Sequence, residues 1–277
     1  LGTSQSSSGP NSGTALVPPW ASPLDGSAES ADSDSVEEDS GETSDDVAGS
    51  EPNYGVPVAP PRRFASARTS LGHFSRTGDT ERLRSGVASY VSQGYAGAST
   101  LTRRMGRTGS TASALSRALN PESAAQALGI DLLAGRSADE IMDAVVEAVR
   151  PHDGTLDAES SREAVRTALS DLLHQYPEAD LLSLTDQQRE FAVERYTAED
   201  VFRRFCLDVG KHILSRAPDK VTGLARLKQV RSYIREVVAQ SFRRLREQGL
   251  SLTSRSVGGT VRQALADTFT VFESYAL

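Results

Sequence analysis

From Ser137 to the C-terminus, apolar residues recur at intervals of three and four, between helix caps and prolines. This periodicity is that of amphipathic helices that bury one stripe each. Ser137-Ala138-Asp139-Glu140 has capping-box spacing, and Ile141, Val145 and Val149 follow it to a stop at Pro151. A second helix is expected from about Asp157 to Tyr176, with Val165, Leu169, Leu172 and Leu173 inward and Pro177 ending it. Thr185-Asp186-Gln187-Gln188 caps a long third helix whose apolar face is Phe191, Phe202, Phe205, Cys206, Val209 and Ile213, with Pro218 beyond. A fourth carries Leu224, Leu227, Val230, Ile234, Val237, Val238, Phe242 and Leu245 up to Gly249. A fifth carries Val257, Val261, Leu265, Phe269, Phe272 and Tyr275. These helices suffice for one core, and a helical bundle is the simplest packing. There is no alternating strand pattern and no internal repeat of solenoid length. The fold class expected is mainly α, a disordered N-terminal tail followed by a helical-bundle body.

Charge divides the chain differently from its net value of −7. Residues 1–61 hold 11 acidic residues and no Lys or Arg. Residues 62–127 hold 10 Arg against 3 acidic residues, and residues 128–277 hold 20 basic and 23 acidic residues. Three regions follow: an acidic Ser/Pro/Gly-rich tail (1–61), a basic Gly-rich, partly helical neck (62–127) and an α-helical domain (128–277). The tail carries 8 of the 12 prolines and few bulky apolar residues. It cannot bury enough apolar surface to offset its ordering entropy, so disorder is expected. The acidic stretch from Asp32 to Asp46 repels itself and extends the chain. In the neck, Phe64, Arg68, Leu71 and Phe74 fall at helical spacing. Asp79 or Thr80 caps a helix to about Gln93, and Gly94 to Thr111 reads as a loop system interrupted by Thr102-Arg103-Arg104-Met105.

Several function classes lack their signatures. No apolar run approaches the roughly 20 residues of a membrane span, and no secretory signal pattern is present, so the cytoplasm is the expected compartment. The single cysteine, Cys206, excludes an intrachain disulfide framework and a Cys-rich zinc site. There is no phosphate-binding GxxxxGK[ST], no GxGxxG and no GxSxG. His73, His152, His174 and His212 are scattered, and the Asp171/His174 pair lacks the second copy that a carboxylate-bridged metal site uses. No catalytic residues, metal ligands or cofactor are assigned, and the chain is expected not to be an enzyme, with an enzyme of unrecognised type as a minor alternative. Arg62, Arg63, Arg103, Arg104 and Arg107 are candidate contacts to phosphate or to a partner. Nucleic-acid binding through this Arg-rich region is the alternative function.

Two features of the tail do not read as spacer. Leu16-Val17-Pro18-Pro19-Trp20 holds the only tryptophan beside two prolines. It suits a short motif that docks Trp20 in a partner's groove, or an island that folds back onto the body. The other is Leu1-Gly2-Thr3-Ser4. Leu1 reads as the literal translation of a non-standard start codon, whose removal as initiator leaves Gly2 first. An α-amine titrates near about 7.7–8.0, so part of it is a free nucleophile at neutral pH. Gly2 with Ser6 also fits the N-myristoylation pattern, a match that abundant Gly and Ser weaken.

The residues that carry a family resemblance are Gly2-Thr3-Ser4 with Ser6, Ser7, Gly9 and Pro10, then Leu16 to Trp20, Arg62-Arg63-Phe64, Gly94-Tyr95 and Thr102-Arg103-Arg104-Met105-Gly106. They continue with Leu133-Ala134-Gly135-Arg136-Ser137, Glu140 to Pro151 and Leu207-Asp208-Val209-Gly210-Lys211. Together these resemble the QatB proteins of the Qat anti-phage defence system, over nearly the whole chain except residues 22–55. The resemblance implies three partners: an ATPase, a QueC-like enzyme of 7-deazaguanine chemistry and a TatD-like nuclease. It implies that Gly2 is the acceptor to which the QueC-like enzyme attaches a deazaguanine, with Thr3 and Ser4 recognised beside it. The expected role is a non-catalytic, partner-docking subunit, with a nucleic-acid-binding or phage-sensing protein that uses the Arg-rich region as the alternative.

Overall fold

The computed structural model describes residues 62–123, 135–250, 252 and 256–275. The expected tail disorder, Gly2, Thr3, Ser4 and the segment Leu16, Val17, Pro18, Pro19 and Trp20 lie outside the described residues. The described residues are helical, with no strand among them. In chain order the helices are α1 (Ala65–Thr77), α2 (Thr80–Ser92), α3 (Ala98–Arg104), α4 (Gly106–Ala118), α5 (Ala138–Val149) and α6 (Leu156–Gln175). Then come α7 (Asp186–Phe205), a single π turn (Cys206–Gly210), α8 (Lys211–Arg216), α9 (Lys220–Glu247) and α10 (Val257–Ser274).

The caps lie where the spacing places them. Asp79 accepts from the Glu81 amide at the start of α2. Ser137/Glu140 and Thr185/Gln188 both form reciprocal capping boxes, at α5 and α7. Glu140 is held near a pKa of about 2, chiefly by the Ser137 backbone N–H that its carboxylate accepts. Most of the expected inward positions are buried, among them Val145, Leu169, Phe205, Ile234, Phe242, Val261 and Phe269. Leu173, Phe191, Phe202, Cys206 and Leu227 are half-buried, and Leu224 and Tyr275 are 62% and 39% exposed. Leu224 lies near the start of α9, and Tyr275 is the residue that caps the end of α10.

The structure overturns the expected loop between Gly94 and Thr111, because α3 and α4 occupy most of it. Gly, Ser and Thr are poor helix formers, so local propensity points to a loop. Packing decides otherwise. Gly109 of α4 and Gly258 of α10 face each other so closely that a Cβ on Gly109 would lie 2.9 Å from the Gly258 carbonyl oxygen. Small residues let the two backbones approach, and the burial gained there holds α4 helical. The long third helix is also interrupted, by the π turn, so that Ile213 reaches the core from α8.

One continuous apolar core runs from Phe64 to Phe272. Helix α10 lies against α2, α3, α4 and α9, while α7 lies against α4, α6 and α9. Helices of the basic stretch and those of the later stretch thus line the same core.

Candidate functional site

The end of α7 and the π turn after it carry Asp200, Arg204 and Asp208 at four-residue spacing, which places Asp200 and Arg204 on one face of α7. The π turn begins between the last two of these. Such a turn inserts one residue into the helical ladder and re-aims the side chains it contains. Asp208 there is half-buried and receives two phenols. Tyr90 donates to its Oδ2 at 2.8 Å and Tyr95 donates to the same oxygen at 2.6 Å.

The phenols belong to an aromatic cluster. Phe64 stacks on Tyr90 with centroids 5.5 Å apart, and Tyr95 meets Tyr90 edge-on at 5.3 Å. The buried Arg63 guanidinium lies 4.2 Å from the Phe64 ring centre and 4.4 Å from that of Tyr95. Gly94 permits this closeness, since a Cβ there would stand 2.6 Å from the Phe64 ring. Burial, with the Asp208 carboxylate alongside, raises both phenol pKa values well above the ordinary range. Tyr90 and Tyr95 are therefore hydrogen-bond donors throughout the neutral range.

On the other side of Arg204, a small polar pocket of about 50 Å³ is lined by Arg104, Arg107, Arg150, Arg204, Asp157 and Asp200, with Thr108 and Ser161. Asp157 of α6 joins two helices by pairing with Arg104 at 3.2 Å and Arg204 at 2.6 Å. Thr108 donates to Asp200 at 2.6 Å. Burial raises the Asp200 pKa, and the Thr108 hydroxyl and the Arg204 charge only partly offset it. Burial opposes the Arg204 charge, but Tyr95, Asp208 and Asp157 around it outweigh that and raise its pKa. A space of this volume takes water-sized occupants. The arrangement is a charged clasp between α3, α4, α6 and α7.

The structure brings Arg104 and Arg107 together at this pocket, Arg107 at its exposed rim. Arg63 lies in the adjoining aromatic cluster. Arg62 is exposed with a φ of 55°, and Arg103 is half-buried with its Nε unpartnered among the described residues. Sequence reasoning missed Tyr90, Asp157, Asp200 and Arg204, and it quoted Asp208 without a role. The four-residue Asp-Arg-Asp spacing near an apolar face is the signal that was present for three of them.

A second buried charge lies on α7. Glu199 is 1% exposed and accepts from Arg231 at 2.7 Å and from Arg235 at 2.6 Å. Arg235 also pairs with Asp171, so the Asp171 carboxylate is engaged by arginines rather than by His174. Cys206 has its thiol pushed up to about 12 by burial, which keeps it protonated at neutral pH. Among the described residues no group of three or more His, Cys, Asp or Glu side chains is placed to hold a metal ion. No helix among them is long and apolar enough to cross a membrane.

A model of the family described as Qat anti-phage system associated protein QatB matches residues 96–272. The match takes in Asp157, Asp200, Arg204 and Asp208, and it begins just after Tyr95. No curated protein matches, and no solved structure does. A family model that covers well over half of the chain, and the whole charged half of the clasp, shows that the chain belongs to the QatB family of the Qat anti-phage defence system.

Proposed function

We propose that this component of the Qat system is a non-catalytic subunit whose helical body docks its partners and whose N-terminal segment presents Gly2 for modification. The observation that carries the reading is the family match together with Gly2-Thr3-Ser4, more than fifty residues ahead of the first described residue. The partners are the system's ATPase, QueC-like enzyme and TatD-like nuclease, in the cytoplasm. The QueC-like enzyme attaches a 7-deazaguanine to the Gly2 amine, and Leu16 to Trp20 form a docking segment. Support for a body without its own chemistry comes from the clasp. Its Arg104 and Arg204 are engaged by Asp157 and its phenols by Asp208, an arrangement that fixes helices to one another.

Co-purification tests the docking role. The full-length chain, tagged and co-expressed with each neighbouring gene product in turn, is expected to retain at least one of the three, and Trp20→Ala is expected to weaken that retention. If none is retained, with all components soluble, the docking role is wrong.

The Arg-rich region gives the second reading, nucleic-acid binding, its specific observation: Arg62 and Arg107 lie exposed. Binding of the full-length chain to DNA or RNA with a steep salt dependence is what that reading requires.

A further inference from the structure

Helices α1 and α8 enclose an open groove of about 280 Å³, lined by Arg68, Thr69, Gly72, Arg76, His212 and Arg216. No carboxylate is among these residues. This sets the groove apart from the clasp, where each arginine cluster surrounds an aspartate. Arg76 and Arg216 are exposed and pair with no described side chain. The Nε and Nη2 of Arg68 are buried and lack a hydrogen-bond partner among the described residues. Its guanidinium lies 5.9 Å from the Phe64 ring centre and feels the Asp208 carboxylate, so Arg68 borders the groove while its charge is directed to the aromatic cluster.

The floor is built to be open. Gly72 lies beneath His212, and a Cβ there would come within 3.1 Å of the imidazole Nε2 and 3.6 Å of the Arg216 side chain. His212 is oriented by the Arg68 main chain, since its Nε2 lies 2.8 Å from the Arg68 carbonyl oxygen. A carbonyl only accepts, so Nε2 carries the proton and donates. Burial lowers the imidazole pKa, with the surrounding Arg216, Arg68 and Arg76 adding to that effect. An anion would relieve the mutual repulsion of these cations.

We propose that this groove is a phosphate site, in which Arg76 and Arg216 grip the oxyanion of a nucleotide or other small phosphate ester. Guanidinium forks match phosphate oxygens two at a time, and two of them on one concave surface focus positive potential there. The space is several times the roughly 30 Å³ of one liquid water, so it admits a phosphate with its first substituent. The site is separate from the Gly2 acceptor and stands whether or not Gly2 is modified.

The test is titration of the full-length protein with pyrophosphate by calorimetry, at fixed ionic strength against sodium chloride. Saturable binding is expected. Arg76→Ala and Arg216→Ala are each expected to weaken it about tenfold, the effect of one charged hydrogen-bonding contact. Arg243→Ala, an equal loss of charge on α9 outside the groove, should leave it unchanged. Gly72→Ala, which crowds His212, should weaken it without removing a charge. Circular dichroism confirms folding of each variant. No saturable binding, or equal weakening by Arg243→Ala, overturns the site. Binding of a single-stranded oligonucleotide without binding of pyrophosphate overturns the small-ester assignment in favour of a polymer.

Discussion

Tyr95 donates its phenolic hydrogen to Asp208 across 2.6 Å, although 113 positions separate the two residues in sequence. Tyr90 donates to the same oxygen. One carboxylate in the π turn therefore ties the end of α2 and the turn after it to the end of α7. Loss of one donor removes one charge-assisted bond, whereas loss of the acceptor strands two buried hydroxyls. Tyr95→Phe is expected to cost about 1–2 kcal/mol and Asp208→Ala about 3 kcal/mol or more, read by urea denaturation. Equal, small costs for the two would show that the carboxylate does not hold the clasp.

Asp200 gives the body a pH dependence of defined sign. Burial raises its folded pKa above the ordinary carboxylate value. Between the unfolded pKa, about 3.9, and the higher folded value, the native state binds more protons than the unfolded chain. Stability from this group thus falls as pH rises through that window. Asp200→Asn keeps an acceptor for Thr108 and removes the titration. The variant is expected to lose less stability than the parent between mildly acidic and neutral pH, measured by denaturation at a series of pH values. A parallel pH profile for both proteins would contradict this.

Neighbouring glycines on α10 should respond in opposite directions. A Cβ on Gly258 would lie 2.8 Å from the Ser113 hydroxyl and 3.3 Å from the Gly109 carbonyl, whereas one on Gly259 meets nothing within 4 Å. Gly258→Ala is expected to destabilise by about 1–3 kcal/mol through overpacking. Gly259→Ala should stabilise by about 0.5–1 kcal/mol through helix propensity. Thermal denaturation of the pair distinguishes close helix approach from simple glycine content.

Cys206 should be unreactive. With its thiol pushed up to about 12, a very small fraction is thiolate at pH 8. Alkylation by iodoacetamide in the folded protein is expected to be far slower than in urea. Equal rates would mean that the thiol is neither buried nor protonated as the structure has it.

Much of the helical body was legible because caps and prolines punctuate it. Ser137/Glu140, Thr185/Gln188, Pro151 and Pro177 set the boundaries within a residue or two. Helices α3 and α4 were not legible, because Gly109 and Ser113 favour a helix only once Gly258 packs on them. The clasp was half-legible. Asp200, Arg204 and Asp208 declare a shared face by their spacing, but Tyr90, Tyr95 and Asp157 reach them only through tertiary packing. The groove residues were hidden for the same reason: Arg68 and Arg216 are far apart in the chain and meet where α8 crosses α1.

The proposed role as a modified subunit is tested most directly by the mass of the N-terminal peptide. The full-length protein is purified after co-expression with the QueC-like enzyme and, separately, alone. A peptide beginning at Gly2 and heavier by one deazaguanine group is expected only in the co-expressed sample. The same unmodified Gly2 peptide in both samples would contradict the role.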